Sequence, residues 1–279
     1  YCLNSDEKMK SFTVKEKTKL SRYLLNAYNG ELTYSMLNKL LRKKDVKVDG
    51  KRVNKDVTLS GGEVVTVYYD GEAKTFEFDT VYSDENVLVA IKPKNITSEN
   101  FYKSLNKDGN LFFCHRLDRN TDGLMIFARN EKSYADLIKG FKNRSFEKIY
   151  KAKVYGVPKK TEGVLSDYLF KDSKSSRVIV SDTYTKGSRP IVTEYSLIST
   201  DKETSELLVK LVTGRTHQIR AHLAFYGHFV LGDGKYGVND INKRLKVKDM
   251  ALSAVKLTLY FDKGDFLYYL NGKSFSCDA

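Results

Sequence analysis

Cysteine is scarce in this 279-residue chain, which carries Cys2, Cys114 and Cys277 and no others. An odd, widely spaced set without a C-x-x-C pair excludes a disulfide framework and a thiolate zinc site, and predicts three reduced thiols. Long apolar runs are also missing. The longest strongly apolar stretch, 87–91, is strand-sized, far short of the ~18 residues a helical membrane span needs. No signal-peptide-like apolar region follows Tyr1, so the sequence predicts a trimmed start and a soluble, cytoplasmic protein with no membrane partner. Negative charge is in deficit, with 35 Asp+Glu against 48 Lys+Arg, a formal net charge of +13. That balance favours a polyanionic partner such as nucleic acid over an acidic metabolite. Repeats and low-complexity segments are absent as well. What remains is an ordinary globular composition, 41% hydrophobic, sized for one large domain or two modest ones.

Residues 12–70 read as a small autonomous module. Helix-like periodicity at 20–25 and 35–41 leads into 46–53, where Asp49-Gly50 between alternating residues marks a two-residue hairpin turn. A third strand, 63–69, follows Gly61-Gly62. Between Lys39 and Lys55 stand eight basic residues, among them Arg42, Lys43, Lys44, Lys47, Lys51 and Arg52, against Asp45 and Asp49. Such an edge is either an ordinary solvated face or a phosphate-binding surface. Residues 71–80 are polar and predict a linker, and 81–279 a larger domain. There, strands are expected at 87–91, 124–128, 148–157, 177–181, 191–198 and 206–213. One helix is expected over 131–143 with Tyr134, Ile138 and Phe141 on its apolar face. Another is expected over 217–226, with Thr216 as N-cap, Gly227 as C-cap and an apolar stripe of Ile219, Leu223 and Tyr226 that leaves Arg220 aside. Segments 252–261 and 266–270 read as a terminal hairpin. Strands outweigh helices and the two are interspersed, which predicts an α+β domain with a mainly antiparallel sheet flanked by helices.

The stretch Cys114-His115-Arg116-Leu117-Asp118-Arg119-Asn120-Thr121-Asp122-Gly123-Leu124 places an aspartate between two arginines in a loop ahead of an apolar strand. Loops held by rigid strands commonly carry reactive groups. Flanking positive charge favours the ionised carboxylate, suited to act as a nucleophile, although an Asp between arginines is equally the signature of a structural ion pair. Alternation along 148–157 puts Tyr150, Ala152 and Val154 on one face, so Tyr150 points to the apolar side. Arg220 needs an acidic partner if buried, and Asp118 is the natural candidate. His217 and His222 lack the further ligands a metal site requires and are expected to be structural or RNA-contacting.

Taken together, three ordered blocks resemble the RluA-type pseudouridine synthases: the H-R-L-D-R-x-T-x-G-L run at 115–124, the block 146–156 around Tyr150, and Thr213-Gly214-Arg215-Thr216-His217-Gln218-Ile219-Arg220 with Leu231-Gly232-Asp233 beyond it. The segment 40–53 resembles the S4 RNA-binding domain. The first resemblance implies a catalytic Asp118 attacking a flipped uridine, a Tyr150 that stacks on the base and takes the proton from C5, and an Arg220 that pairs with Asp118. Arg116, Arg119, Arg215 and His217 are implied RNA contacts beside them. The second implies that Arg42, Lys43, Lys44, Lys47, Lys51 and Arg52 grip RNA. Ribosomal RNA of the large subunit is the favoured substrate and transfer RNA the second, with a monomer expected. No cofactor or metal is called for, because the product is an isomer of the substrate. Asp122 departs from the family's usual small residue there and puts a second carboxylate near Asp118.

Two other enzyme classes fail on pattern. Val89-Ala90-Ile91-Lys92 and His115-Arg116-Leu117-Asp118 imitate kinase motifs, yet no G-x-G-x-x-G precedes the first and no D-F-G follows the second. A zinc base deaminase needs H-x-E and P-C-x-x-C, which are absent. A non-catalytic RNA-binding or ribosome-assembly protein is the rival from another class. The joint presence of Asp118, Tyr150 and Arg220 argues against it.

Overall fold

The structure, a computed structural model, describes residues 9–28, 32, 34–69, 78–172 and 177–278. The chain divides into two compact units, residues 1–75 and 76–279. Residues 71–77 of the segment expected as a linker, 71–80, lie outside the described residues, and Thr80 already opens a strand of the second unit. Cys2 is outside them too. Cys114 and Cys277 are free, and burial pushes the Cys114 thiol up to about 12, which keeps it protonated and unreactive.

The first unit contains β1 (Met9–Thr13), β2 (Thr18–Lys19), α1 (Leu20–Ala27), α2 (Tyr34–Lys43), β3 (Val46–Val48), β4 (Lys51–Val53), β5 (Thr58–Leu59) and β6 (Val64–Tyr68). Leu20 and Leu24 of α1, and Leu37 and Leu41 of α2, recur at the i, i+4 spacing of one helical face and pack on Val46, Val65 and Val67 of the sheet. No side chain on α1 caps its start. Instead Asp56 accepts the Ser21 N–H at 2.9 Å and the Ser21 hydroxyl at 2.8 Å, placing a carboxylate at the positive end of the helix. β3 and β4 pair from Val46↔Val53 to Val48↔Lys51. Asp49 (φ 47°) and Gly50 (φ 76°) make the turn, both in the left-handed region as a two-residue hairpin of this twist demands.

The second unit contains β7 (Thr80–Ser83), β8 (Val87–Lys92), α3 (Ser98–Leu105), β9 (Phe112–Phe113), β10 (Asp122–Ala128), α4 (Glu131–Asn143), β11 (Glu147–Tyr155), β12 (Glu162–Asp172), β13 (Arg177–Ser181), β14 (Arg189–Thr200), β15 (Thr204–Leu211), α5 (Gln218–Phe225), α6 (Asn239–Arg244), β16 (Leu252–Thr258) and β17 (Ser274–Ser276). Its sheet runs β13-β12-β14-β15-β11-β16-β10-β8-β7, with β17 on β16 and β9 on β10. Among the described strands β10 and β16 are the one parallel pair, so the unit is α+β with a mainly antiparallel mixed sheet. Both faces of its centre are buried. Met125 and Phe127 of β10 enter one core with Tyr150, Ala152, Val154 and Leu223, while Leu124, Ile126 and Ala128 enter the other with Leu137 and Phe146. This is why β8 and β10 read as continuous apolar runs.

Several elements differ from expectation. Helix α4 has the expected bounds, but Ser133, Leu137 and Gly140 form its buried face and Tyr134 is exposed, because Gly140 seats the Phe146 ring where a side chain would stand. Helix α5 begins after His217, which takes a left-handed conformation (φ 54°) in place of capping by Thr216. It has no polar side either: Gln218 to Leu223 are all buried, and Tyr226 is exposed. β16 pairs with Ser274–Ser276 rather than with 266–270, which form a turn and a short 3-10 helix, Tyr268–Leu270. β7, α3 and β12 have weaker patterns and were not anticipated.

Candidate active site

The loop between β9 and β10 is pinned on both sides of Asp118. Before it, the Ser98 hydroxyl, at the start of α3, accepts the Leu117 N–H and donates to the Leu117 carbonyl, each at 2.8 Å. After it, the fully buried Lys92 ammonium donates to the carbonyls of Pro93 (2.9 Å), Ile96 (3.0 Å) and Arg119 (3.3 Å). Burial pushes Lys92 down to about 8, against the fields of Asp122 and Asp118. Lys92, which the sequence offered as a false kinase lysine, thus ties the backbone of the aspartate loop to the strand behind it.

Arg220 meets Asp118 from α5: its Nη1 donates to Asp118 Oδ2 at 2.8 Å. The same guanidinium holds Asp233 through Nε at 2.7 Å and Nη2 at 2.9 Å, the two-pronged geometry for which a planar fork is suited. Burial opposes the charge on Arg220, but Asp233 and Asp118 outweigh it and raise the guanidinium above its ordinary range. Burial would likewise raise Asp233, and Arg220 with the N–H groups of Lys235 and Tyr236 holds it below. Asp233 therefore fixes the arginine, leaving one nitrogen for Asp118. Sequence reasoning missed Asp233 as that partner; the turn that carries it presses so close that a Cβ on Gly232 (φ 76°) would collide with the Asp249 carbonyl.

The arginines flanking Asp118 in sequence point elsewhere. Arg116 is exposed at the cavity rim with Glu99 at 3.9 Å, and Arg119 donates to the Asn95 carbonyl at 3.2 Å. A loop turns successive side chains apart, so the charge that meets Asp118 comes from a distant segment. His217 Nε2 stands 3.8 Å from Asp118 Oδ2. The Tyr236 hydroxyl accepts the Val178 N–H and is 2.9 Å from His217 Nδ1 on the other side of that ring. Arg215 lines the same cavity. His222 is buried between Thr193 and Asp167, 2.8 and 2.9 Å away, and touches no part of the cavity. Asp122 accepts from Ser253 at 2.6 Å with Lys94 at 3.8 Å, so the second carboxylate is occupied by its own strand partner.

Tyr150 stands in the wall of a cavity of about 570 Å³ beside Asp118, 8% exposed, with Leu252, Leu211 and Ile219 around it. Burial, then the charge of Asp118, raises its phenol well above the ordinary tyrosine range, so the hydroxyl is protonated at neutral pH. The cavity offers a carboxylate held by a buried arginine, an aromatic wall and a rim rich in cations.

A carboxylate clamped by a buried arginine thus stands beside an aromatic wall on this sheet, and no cluster of metal-ligating side chains occurs among the described residues. The model of the RNA pseudouridylate synthase family matches residues 80–225, just over half of the chain. Ribosomal large subunit pseudouridine synthase C of Rickettsia felis is 30% identical over 255 residues, 80% of this chain and 83% of that protein. Ribosomal large subunit pseudouridine synthase D of Vibrio vulnificus is 30% identical over 74% of this chain and 69% of its own. The solved structure of human RNA Pseudouridylate Synthase Domain Containing 1 superimposes with a TM-score of 0.60 at 26% identity, covering 66% of this chain and 79% of that one. The chain belongs to the RNA pseudouridylate synthase family and is an isomerase that converts uridine to pseudouridine in RNA.

Proposed function

We propose that this chain isomerises uridines of large-subunit ribosomal RNA, with Asp118 as the nucleophile. The observation that carries the reading is the 2.8 Å contact that holds the Asp118 carboxylate on Arg220 at a cavity walled by Tyr150. The target nucleotide leaves its stack and enters this cavity. Asp118 bonds to uracil C6 or ribose C1′ and the N1–C1′ bond breaks; the base turns, C5 joins C1′, the bond to Asp118 is released, the C5 proton leaves and N1 takes up a proton. Atoms balance without a cofactor. Tyr150 gives the base a stacking surface. Because its phenol is protonated, it takes the C5 proton only by passing its own on in the same step. Arg116, exposed at the rim, would enter the space the base vacates, and Arg119, Arg215 and His217 would hold the surrounding strand.

The first unit supports the reading through its basic edge. Arg42, Lys43, Lys44, Lys51 and Arg52 are exposed around the hairpin and the end of α2, as an S4-like RNA-binding module requires. Lys47 is half-buried and donates to the Tyr68 hydroxyl at 2.8 Å, which makes it a weaker phosphate contact than its neighbours. Ribosomal RNA is favoured over transfer RNA because relatives similar over most of this chain bear that substrate in their names. Mapping pseudouridine across total RNA from cells with and without the gene tests the choice. Loss of at least one large-subunit position is expected; a loss confined to transfer RNA, or an unchanged map, contradicts it.

A further inference from the structure

Attack on a neutral uracil uses Asp118, Arg220 and Tyr150. The same cavity is also lined by Phe141, Lys142, Arg144, Lys148, Arg215 and His115. Lys148 lies two residues before Tyr150 on β11, and alternation sends both side chains to the same face. It is half-buried, and none of the described residues gives its ammonium a carboxylate or a hydrogen-bond acceptor. Burial and the neighbouring charge of Arg144 both disfavour that ammonium. A Cβ on Gly214 would stand 3.3 Å from Lys148 Nζ, so the absence of a side chain there leaves the ammonium room. Lys142, Arg144 and Arg215 likewise have no carboxylate partner among the described residues.

His115 adds a donor of a different kind. The backbone N–H of Ile126 donates to its Nε2 at 3.0 Å, so that nitrogen carries a lone pair and the ring proton sits on Nδ1. The ring is neutral, lies against Phe141 with centroids 4.5 Å apart, and has no described acceptor for Nδ1–H. Arg144 contributes an oddity of backbone: it closes α4 at φ 60°, where a helix end favours glycine, and so keeps a side chain at some conformational cost.

Cations gathered without an anion, beside a neutral donor, describe a site for an oxyanion. Uracil is uncharged and cannot be what they serve. We propose that Lys148, Arg144 and Arg215, with the Nδ1–H of His115, form a phosphate subsite that takes a phosphodiester bordering the target nucleotide. This rests on the reading of the cavity as the uridine pocket. The subsite anchors the flipped nucleotide by its backbone while Tyr150 receives the base, and one cavity of about 570 Å³ holds both.

Binding of uridine, uridine 5′-monophosphate, uridine 3′-monophosphate and inorganic phosphate to the full chain, followed through the His115 ring ¹H–¹⁵N resonance, tests the proposal without turnover. At least one monophosphate should bind roughly tenfold or more tighter than uridine, as one charge-assisted contact implies, and should shift the Nδ1–H signal. Lys148→Ala should remove that advantage and Lys148→Arg retain most of it. Arg144→Gly suits the left-handed position, so it should melt no lower than the parent yet lose phosphate affinity. Equal binding of uridine and both monophosphates, or an advantage that survives Lys148→Ala and Arg144→Gly, overturns the subsite. If the chain makes no pseudouridine yet shows this preference, the isomerase reading fails and the phosphate site stands.

Discussion

Arg220 divides one guanidinium between two carboxylates, and the division decides what each does. Asp233 takes two of the nitrogens and is buried with them, so it serves to hold the arginine; Asp118 takes the third and stays open to the cavity. Removing the charge of Asp233 leaves a buried cation half-compensated, a change that costs ~3–5 kcal/mol in comparable buried pairs. Asp233→Asn should therefore lower the denaturation midpoint by that measure and also slow turnover, since Arg220 can then swing toward Asp118. Full activity in a destabilised variant would contradict the positioning role. Tyr150→Phe separates stacking from proton handling. RNA affinity should hold within about twofold, while the rate constant falls by roughly 10²-fold, the scale of a lost acid–base group. Single-turnover measurements with pre-formed complex distinguish the two.

At the scale of elements, the aspartate loop depends on how tightly β10 lies against β16. A Cβ on Gly123, at φ 110°, would meet the Ala254 carbonyl at 2.2 Å, and Asp122 beside it pairs with Ser253. Gly123→Ala should cost at least ~2 kcal/mol from overpacking and backbone strain and lower the melting midpoint; an unchanged midpoint would mean the strands part freely. The same pairing shows where sequence reading succeeds. Buried strands such as β8 and β10, the exact span of α4, and the Asp49-Gly50 turn were legible because period and turn chemistry are local. The joining of Asp118 to Arg220 was legible through motif order and through the need of a buried arginine for an acid. Asp233 was not, because nothing local says which of two carboxylates claims a guanidinium. The stripe expected for α5 fails at Tyr226, which is exposed, while Asp118, Asp167, Asp233 and Thr193 satisfy Arg220 and His222 from other segments, so that Gln218 to Leu223 are all buried. His217, expected as the first helical residue, is instead the left-handed residue just before the helix.

For the molecule as a whole, three neutral histidines make stability depend on pH. Burial pushes His115 down to about 3 and lowers His217 and His222, the last two against nearby aspartates. For His115, between about 3 and the ordinary value of 6.5, the unfolded chain binds a proton that the folded chain refuses, so its contribution is complete above pH 6.5 and lost as pH falls, at up to ~1.4 kcal/mol per pH unit; His217 and His222 act in the same direction. The melting midpoint should fall steadily from pH 7 to pH 4; a flat profile would show that these rings are free to protonate. RNA affinity belongs to this scale as well. Replacing Arg42, Lys43 and Lys44 with alanine should weaken binding to all sequences alike and flatten its salt dependence by roughly 0.7–0.9 in log–log slope for each lost phosphate contact. The central claim is that Asp118 breaks and remakes a glycosidic bond. Release of tritium from RNA labelled at uridine C5 measures that event directly. The intact chain should release tritium in proportion to pseudouridine formed, and Asp118→Ala, though folded and RNA-bound, should release none. Undiminished release by that variant, or none from the intact chain with ribosomal and transfer RNA, would contradict it.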